Sequence, residues 1–437
     1  MRAPASRAWL LLALATPAPA AAQAAHEELQ NFSAALNHIR GHHVDSVSYR
    51  GLVQAAIEGM LRGLDPHSWY ASRADYERLS AVERGKLATP GIDFELVDGV
   101  PTVLSVAAGG PAAKAGIVAG DRLRRVDGIP ATGFGGKSLA IRLAGEKGSK
   151  VELVFERGPR LEPDTFAVRV TRDFVRPRSV SLARMLDSAT GYLRLETFGP
   201  DAAKEVRDAI GKLRRARRLV LDLRGNPGGI VDEAVDLAAE FLPSKTLVSS
   251  TRGRRRAANG EYRTERDGAH RELPLVVLID EGSASASEAL AASLQDHDRA
   301  LVIGRRSFGK ALMQTAFFVA DYGVVMLTVG HVVAPSGRVI QRRYRGLAIE
   351  QYYSFAGNVH EGEDTLAAYH TAGGRVVRGG GGIAPDVPVA RRPAPPAWWS
   401  VAVDSGFVQA VADSVAYTLG ADPASRARWI ASPDEWR

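Results

Sequence analysis

The 437-residue chain contains no cysteine. That excludes disulfides, thiolate metal ligands and a lipid-modified cysteine behind a leader peptide. Beyond the first 25 residues there is no run of 18 apolar residues, so no internal membrane-spanning helix is expected. The G-x-x-x-x-G-K-S/T phosphate loop is also absent. Basic residues are plentiful, with a net charge of +7, but the two densest runs lack interleaved aromatics. "RRARR" (214–218) precedes an apolar strand, and "RGRRR" (252–256) sits in a polar, loop-like stretch. Both read as solvated faces, and no nucleic-acid partner is expected.

What remains is ordinary globular material, 45% hydrophobic and 24% charged, long enough for two or three domains. The N-terminus has Arg2 and Arg7, an apolar stretch from Ala8 to Ala15, and small residues at Ala20–Ala22 or Ala22–Ala24. This is the form of a secretory leader over residues 1–24, and its apolar part is too short to span a bilayer. The mature chain is therefore expected to be exported, to the periplasm. Peripheral membrane association stays open, and the sequence says nothing of oligomeric state.

Pattern divides the rest. Residues 25–88 carry helical periodicity, as in "LVQAAIEGMLRGL", until Asp65-Pro66 stops the helix. Residues 89–158 alternate short strands with turns, including "GIDFELVDGVPTVLSV", and form a small β-rich module. Residues 159–390 become α/β: "GYLRLETF", "RLVLDLRG" and "PLVVLID" are strands separated by amphipathic helices. That alternation predicts a mostly parallel sheet with helices on its faces. The tail, 391–437, opens Pro-rich and ends in helical signals.

Three segments carry chemistry. In "IDEGSASASEALAASLQ", Ser285 lies where a buried strand turns into a helix, the sheet edge that holds most α/β sites. Locally, Ser285-x-x-Glu288 also reads as a capping box, and Ser283 and Ser287 as small turn residues. A serine nucleophile needs a base. Histidines such as His42, His43, His67, His360 and His370 lie in the N-terminal helical part or toward the tail, and His297 and His331 have no catalytic context. Lys310, in "RRSFGKALMQ", can serve if burial keeps it neutral; alone it reads equally as a strand-end lysine. Gln314, four residues on, shares its face in either strand or helix. "LVLDLRGNPGG" can turn backbone N–H groups to the same edge, making an oxyanion hole with Ala286; alone it is a Gly-rich turn.

Together, "GSASASEALAASLQDHDRALVIGRRSFGKALMQ", "GMLRGLDPHSWY", "GYLRLETF", "LDLRGNPGG" and "GRVVRGGGGIAPDVPV" resemble the carboxy-terminal processing peptidases, in order over about residues 27–390. The resemblance implies a serine peptidase with a Ser–Lys dyad and no cofactor or metal. Ser285 matches its nucleophile, Lys310 its base, Gln314 the residue positioning that base. Gly228 and Ala286 match its oxyanion donors, with Gly229 the alternative to Gly228. The module at 89–158 resembles the family's PDZ domain, which captures a protein's C-terminal tail as an added strand. Its loop is Gly91-Ile92-Asp93-Phe94, and Asp93 departs from the expected small residue. Ala311, after the lysine, and "HVVAPSGRVIQ" depart too, without removing a catalytic group. Asp296 is 11 residues from Ser285, roughly 16 Å along a continuous helix, too far to complete a triad. The expected partners are proteins or peptides with exposed tails. Two other classes stay in view: a PDZ adaptor without useful catalysis, and a carbohydrate hydrolase pairing carboxylates among Asp222, Asp280 and Glu288.

Overall fold

The computed structural model describes residues 20–353, apart from 84–85, 98, 108, 133, 135, 159–162, 176–177, 321 and 348, then residues 367–390, 398 and 407–419. Most of the expected leader, residues 1–19, lies outside the described residues, and so does most of the 391–437 tail apart from a helix at Phe407–Leu419.

The chain divides into two compact units, Met1–Leu64 and Asp65–Arg437. In the first, α1 (Ala20–His42) is followed by α2 (Tyr49–Arg62), whose start is capped by the Ser48 side chain accepting the Gly51 N–H. Helix α2 ends at Arg62, short of the Asp65-Pro66 break. The segment expected to be helical to residue 88 then changes character. Trp69–Ala71 form a strand, β1, before α3 (Arg73–Glu83).

The small module follows: β2 (Ile92–Val97), β3 (Val100–Val106), α4 (Pro111–Lys114), β4 (Arg122–Val126), β5 (Ile129–Pro130), α5 (Gly136–Leu143), β6 (Lys150–Arg157) and β7 (Asp164–Thr171). Its sheet runs β2-β3-β4-β6-β7, with β5 on β4. Leu123, Val126, Leu139, Leu143, Val151, Leu153 and Phe155 form a core of its own. One further strand lies beyond the expected boundary at 158. Strand β7 pairs with β6 from Lys150↔Thr171 to Arg157↔Asp164, and its alternating Phe166, Val168 and Val170 pack on that core. A hairpin partner that shares a core belongs to the module it closes.

The larger region contains β8 (Val180–Met185), β9 (Thr190–Leu195), α6 (Ala202–Lys212), β10 (Arg218–Asp222), α7 (Val231–Ala238), β11 (Leu247–Gly253), β12 (Gly260–Arg263) and β13 (Leu275–Ile279). It continues with α8 (Ala286–Asp296), β14 (Leu301–Gly304), β15 (Leu312–Val319), β16 (Gly323–Val333), α9 (Ile349–Tyr353), β17 (Ala368–His370), β18 (Val376–Arg378) and β19 (Val387–Pro388). One sheet, in the order β19-β14-β13-β10-β9-β8, is parallel except at β8–β9. Leu193, Leu195, Leu219, Leu221, Val277 and Ile279 alternate onto one large core with α6, α7 and α8.

The expectation of a mostly parallel core needs correction. A second sheet, β1-β16-β11-β12 with β15 on β16, is antiparallel throughout. Strands β15 and β16 are joined by a short turn, which permits only antiparallel pairing, because parallel strands need a long crossover. The small module and the β17–β18 hairpin are antiparallel as well.

Helix α8 is buried along its whole length. Its far end is anchored by ions. Asp296 pairs with Arg338 at 2.7 Å, both side chains fully buried, and accepts the Ser336 N–H at 2.9 Å. Gln295 receives Arg338 and donates to the Ala384 carbonyl and to Asp386. Asp296 therefore secures the Pro-Ser-Gly-Arg turn at the end of the helix remote from Ser285. Asp296→Ala, by stranding a buried guanidinium, should lower stability by about 3–5 kcal/mol in denaturant titration.

Candidate active site

Strand β13 ends at Ile279 and the chain turns through residues 280–285 into α8. Two of the three serines hold that turn. Ser283 Oγ donates to the Leu223 carbonyl at 2.8 Å and receives the Asp280 N–H at 3.0 Å. Ser287 Oγ donates to the Asn226 carbonyl at 3.0 Å, which also receives the Ala284 N–H. Both are fully buried, whereas Ser285 between them is half-exposed. Its backbone has φ 57° and ψ −116°, a conformation a serine adopts only under constraint. Strain is tolerated here because both flanks are tied to the end of β10.

Gly228 is the other half of the turn. At φ +99°, a Cβ on it would lie 2.7 Å from the Ala284 carbonyl oxygen, and 2.8 Å from both the Ala286 nitrogen and Ser285 Cβ. Only glycine lets this loop touch the serine turn. Its own N–H, however, donates to Asn226 Oδ1 at 2.9 Å, and Asn226 is held by the Leu195 carbonyl. Gly228 thus supplies closeness, and its proton reaches an oxyanion only if that bond exchanges. Ala286 N–H, at the start of α8, is among the helix donors with no partner within the helix.

Lys310 lies between β14 and β15, on the passage from the parallel sheet to the antiparallel one. The residue that joins it to Ser285 is Glu288. Its Oε2 accepts the Ser285 N–H at 2.9 Å and the Lys310 N–H at 2.8 Å. Its Oε1 accepts the Gly309 N–H at 2.7 Å and the Ser307 hydroxyl. Phe308 N–H closes the contact on the Ser283 carbonyl. The side chains of Ser285 and Lys310 make no direct hydrogen bond, and unliganded sites often close such bonds only around substrate. The capping box expected at Ser285 is thus present, and its Glu288 half serves both segments at once. The joining role of Glu288 was not legible in the sequence, since S-x-x-E does not reveal a second set of donors 21 residues away.

Burial sets the electrostatics. It lowers the pKa of the half-buried Lys310 amine, opposed by the nearby Glu288 charge. Burial pushes the Glu288 carboxyl up to about 7, against the four hydrogen bonds from Ser307, Lys310, Gly309 and Ser285. Lys310 precedes β15 and the register shifts between Met313 and Gln314, so strand alternation does not link Lys310 to Gln314. The Gln314 amide nitrogen donates to the Leu312 carbonyl at 3.0 Å and to Thr328 Oγ1 at 3.3 Å.

The carboxylates considered for a glycosidase pair are occupied. Asp222 accepts Tyr192 and Arg224, and Asp280 Oδ1 accepts the Gly225 and Gly282 N–H groups.

In the small module β2 is an edge strand, its outer side unpaired within the sheet and able to accept a further strand. Gly91 has φ +76°, and Ile92 and Phe94 pack on the module core. Asp93 is exposed, and its carboxylate takes the Ser105 hydroxyl on β3 at 2.7 Å. Its charge is therefore engaged across the β2–β3 pair.

With this geometry in place, likeness to known proteins can be stated. The profile of Peptidase family S41 matches residues 189–349, and that of the PDZ domain residues 102–157. The Carboxy-terminal-processing protease of Bartonella bacilliformis is 32% identical over 325 residues, 73% of this chain and 74% of that protein. The Carboxyl-terminal-processing protease of a Synechocystis strain is 33% identical over 300 residues, 66% of this chain and 68% of its own. A solved photosystem II D1 C-terminal processing protease is 25% identical, with a TM-score of 0.49 over 90% of this chain and 92% of its own. A serine peptidase carrying a PDZ domain is the class these matches define. Within it, the chain belongs to the carboxy-terminal processing protease family of S41.

Glu288 makes one consequence measurable. Because its folded-state pKa, about 7, lies above the unfolded value of 4.5, the folded chain keeps a proton that the unfolded chain releases. Stability from this group is complete below pH 4.5 and is lost as pH rises through 7. The stability advantage of wild type over Glu288→Gln should therefore shrink by on the order of 3 kcal/mol across that window in paired denaturant titrations.

Proposed function

We propose that this protein is an exported serine endopeptidase that cleaves protein substrates presented by their C-terminal tails, using Ser285 as nucleophile and Lys310 as general base. The observation that carries the reading is the shared Glu288 oxygen, which accepts backbone N–H groups from both residues within 2.9 Å.

The steps follow from the groups at hand. Ser285 Oγ attacks the scissile carbonyl carbon while its proton passes to neutral Lys310 Nζ. Negative charge moves to the carbonyl oxygen, where the Ala286 N–H at the head of α8 receives it, with the Gly228–Gly229 turn alongside. Collapse breaks the C–N bond, and Lys310 returns the proton to the departing amine. Water, deprotonated by Lys310, then releases the acyl group from Ser285. Gln314 orients the amine. The substrate's tail adds to the open edge of β2, with its terminal carboxylate at the Gly91–Phe94 loop. The leader read at residues 1–24 supports export to the periplasm.

Ser285→Ala and Lys310→Ala should each lower kcat on an unfolded protein with an apolar tail by about a thousandfold or more. Either variant working at near-native rate removes the dyad. Since burial depresses the Lys310 pKa, the rate of the native enzyme should climb with pH and level off below the ordinary lysine value of 10.5. Amidating the substrate's C-terminus should raise KM several-fold and leave kcat nearly unchanged, which a peptide pair differing only at the terminus reads directly.

A further inference from the structure

The chain enters its second compact unit at Asp65, in the Leu-Asp-Pro-His-Ser stretch, and packs at once against the antiparallel sheet. Asp65 Oδ1 accepts the amides of His67 at 2.8 Å and Ser68 at 2.9 Å, and the Thr328 hydroxyl at 2.9 Å. Its Oδ2 accepts the Ser68 hydroxyl at 2.6 Å, and Ser68 Oγ in turn accepts the Thr328 N–H at 3.0 Å. Strand β1, immediately after, pairs with β16 at Trp69↔Met326. Thr328 is thereby fixed in both its backbone and its side chain. It stands directly opposite Gln314 across the β15–β16 pair.

Proton counting gives this contact a direction. A threonine hydroxyl has one proton to give, and an ionised carboxylate only accepts. With its proton spent on Asp65, Thr328 Oγ1 can only accept from Gln314, so it faces the amide nitrogen. The Leu312 carbonyl, 3.0 Å from that nitrogen, makes the same demand independently. The flip of the carboxamide is settled by two acceptors, and Oε1 is the end left over. An amine needs an acceptor, which the opposite flip would not offer.

We propose that Thr328, with its proton committed to Asp65, is a positioning residue for the peptidase reaction: it fixes the Gln314 carboxamide so that its oxygen, not its NH2, is offered to Lys310. The inference rests on the reading of Gln314 as the group that orients Lys310. An N–H of the neutral amine held by that oxygen directs the lone pair elsewhere, toward Ser285. The N-terminal Asp-Pro-His-Ser stretch, remote in sequence, thus acts on the base through one hydroxyl and one amide.

The test is a cycle on the full-length enzyme with an unfolded, apolar-tailed protein as substrate. Thr328→Val keeps the shape and loses the hydroxyl; it should lower kcat about tenfold with KM and thermal midpoint nearly unchanged. Thr328→Ser should restore most of the rate. In a Gln314→Ala background the valine should cost nothing further, because the two changes act through one amide. Full activity of Thr328→Val, failure of serine to rescue, or independent multiplication of the two losses overturns the inference. If the valine variant does not fold, Thr328→Ala takes its place in the same cycle with the same outcomes. A wild-type enzyme without cleavage, or Gln314→Ala at wild-type rate, instead removes the underlying reading and the inference with it.

Discussion

A single buried carboxylate holds the serine turn and the lysine passage of this protein in register. Glu288 has no exposure to solvent, yet each of its oxygens receives two donors, one pair from the serine turn and the lysine passage, the other from Ser307 and Gly309. A buried carboxyl is costly unless so satisfied. Here the cost is offset by bonds that can form only when the two passages lie side by side. The far end of α8, locked by Asp296 and Arg338, keeps the helix from sliding and so keeps Glu288 at its post.

The same economy governs the three serines. Ser283 and Ser287 are consumed in fastening the turn to the Leu223–Asn226 stretch, and this fastening allows Ser285 to hold a backbone conformation that a loose loop would relax. Gly228 completes the arrangement by allowing two backbones to meet where any side chain would intrude. The hydroxyl left half-exposed is that of Ser285, the proposed nucleophile. Local strain, close backbone approach and a helix start are concentrated within a few residues, as expected where a fold carries chemistry.

Much of this was legible in the chain and some was not. Strand and helix periodicities placed β9, β10, β13 and α8 correctly, because buried strands in a parallel sheet leave long apolar runs. Ser285, Lys310 and Ala286 were singled out by ordered motifs rather than by periodicity. The antiparallel sheet was missed because pairing is a long-range property that a local pattern does not encode. The pairing of β7 with β6 across the expected boundary at 158 went unseen for the same reason. Asn226's hold on the Gly228 amide and Thr328's hold on Gln314 depend on residues 31 and 263 positions from their further partners, Leu195 and Asp65. Spacing along the chain carries no trace of either. The edge position of β2 likewise emerged only with strand order.

The proposed nucleophile, Ser285, hangs from a parallel sheet, and the proposed base, Lys310, sits where the chain departs for an antiparallel one. A seam between two differently built layers therefore passes between Ser285 and Lys310. Neither layer needs to melt for chemistry to stop; a small slip of one past the other would disarm the protein while leaving each layer whole.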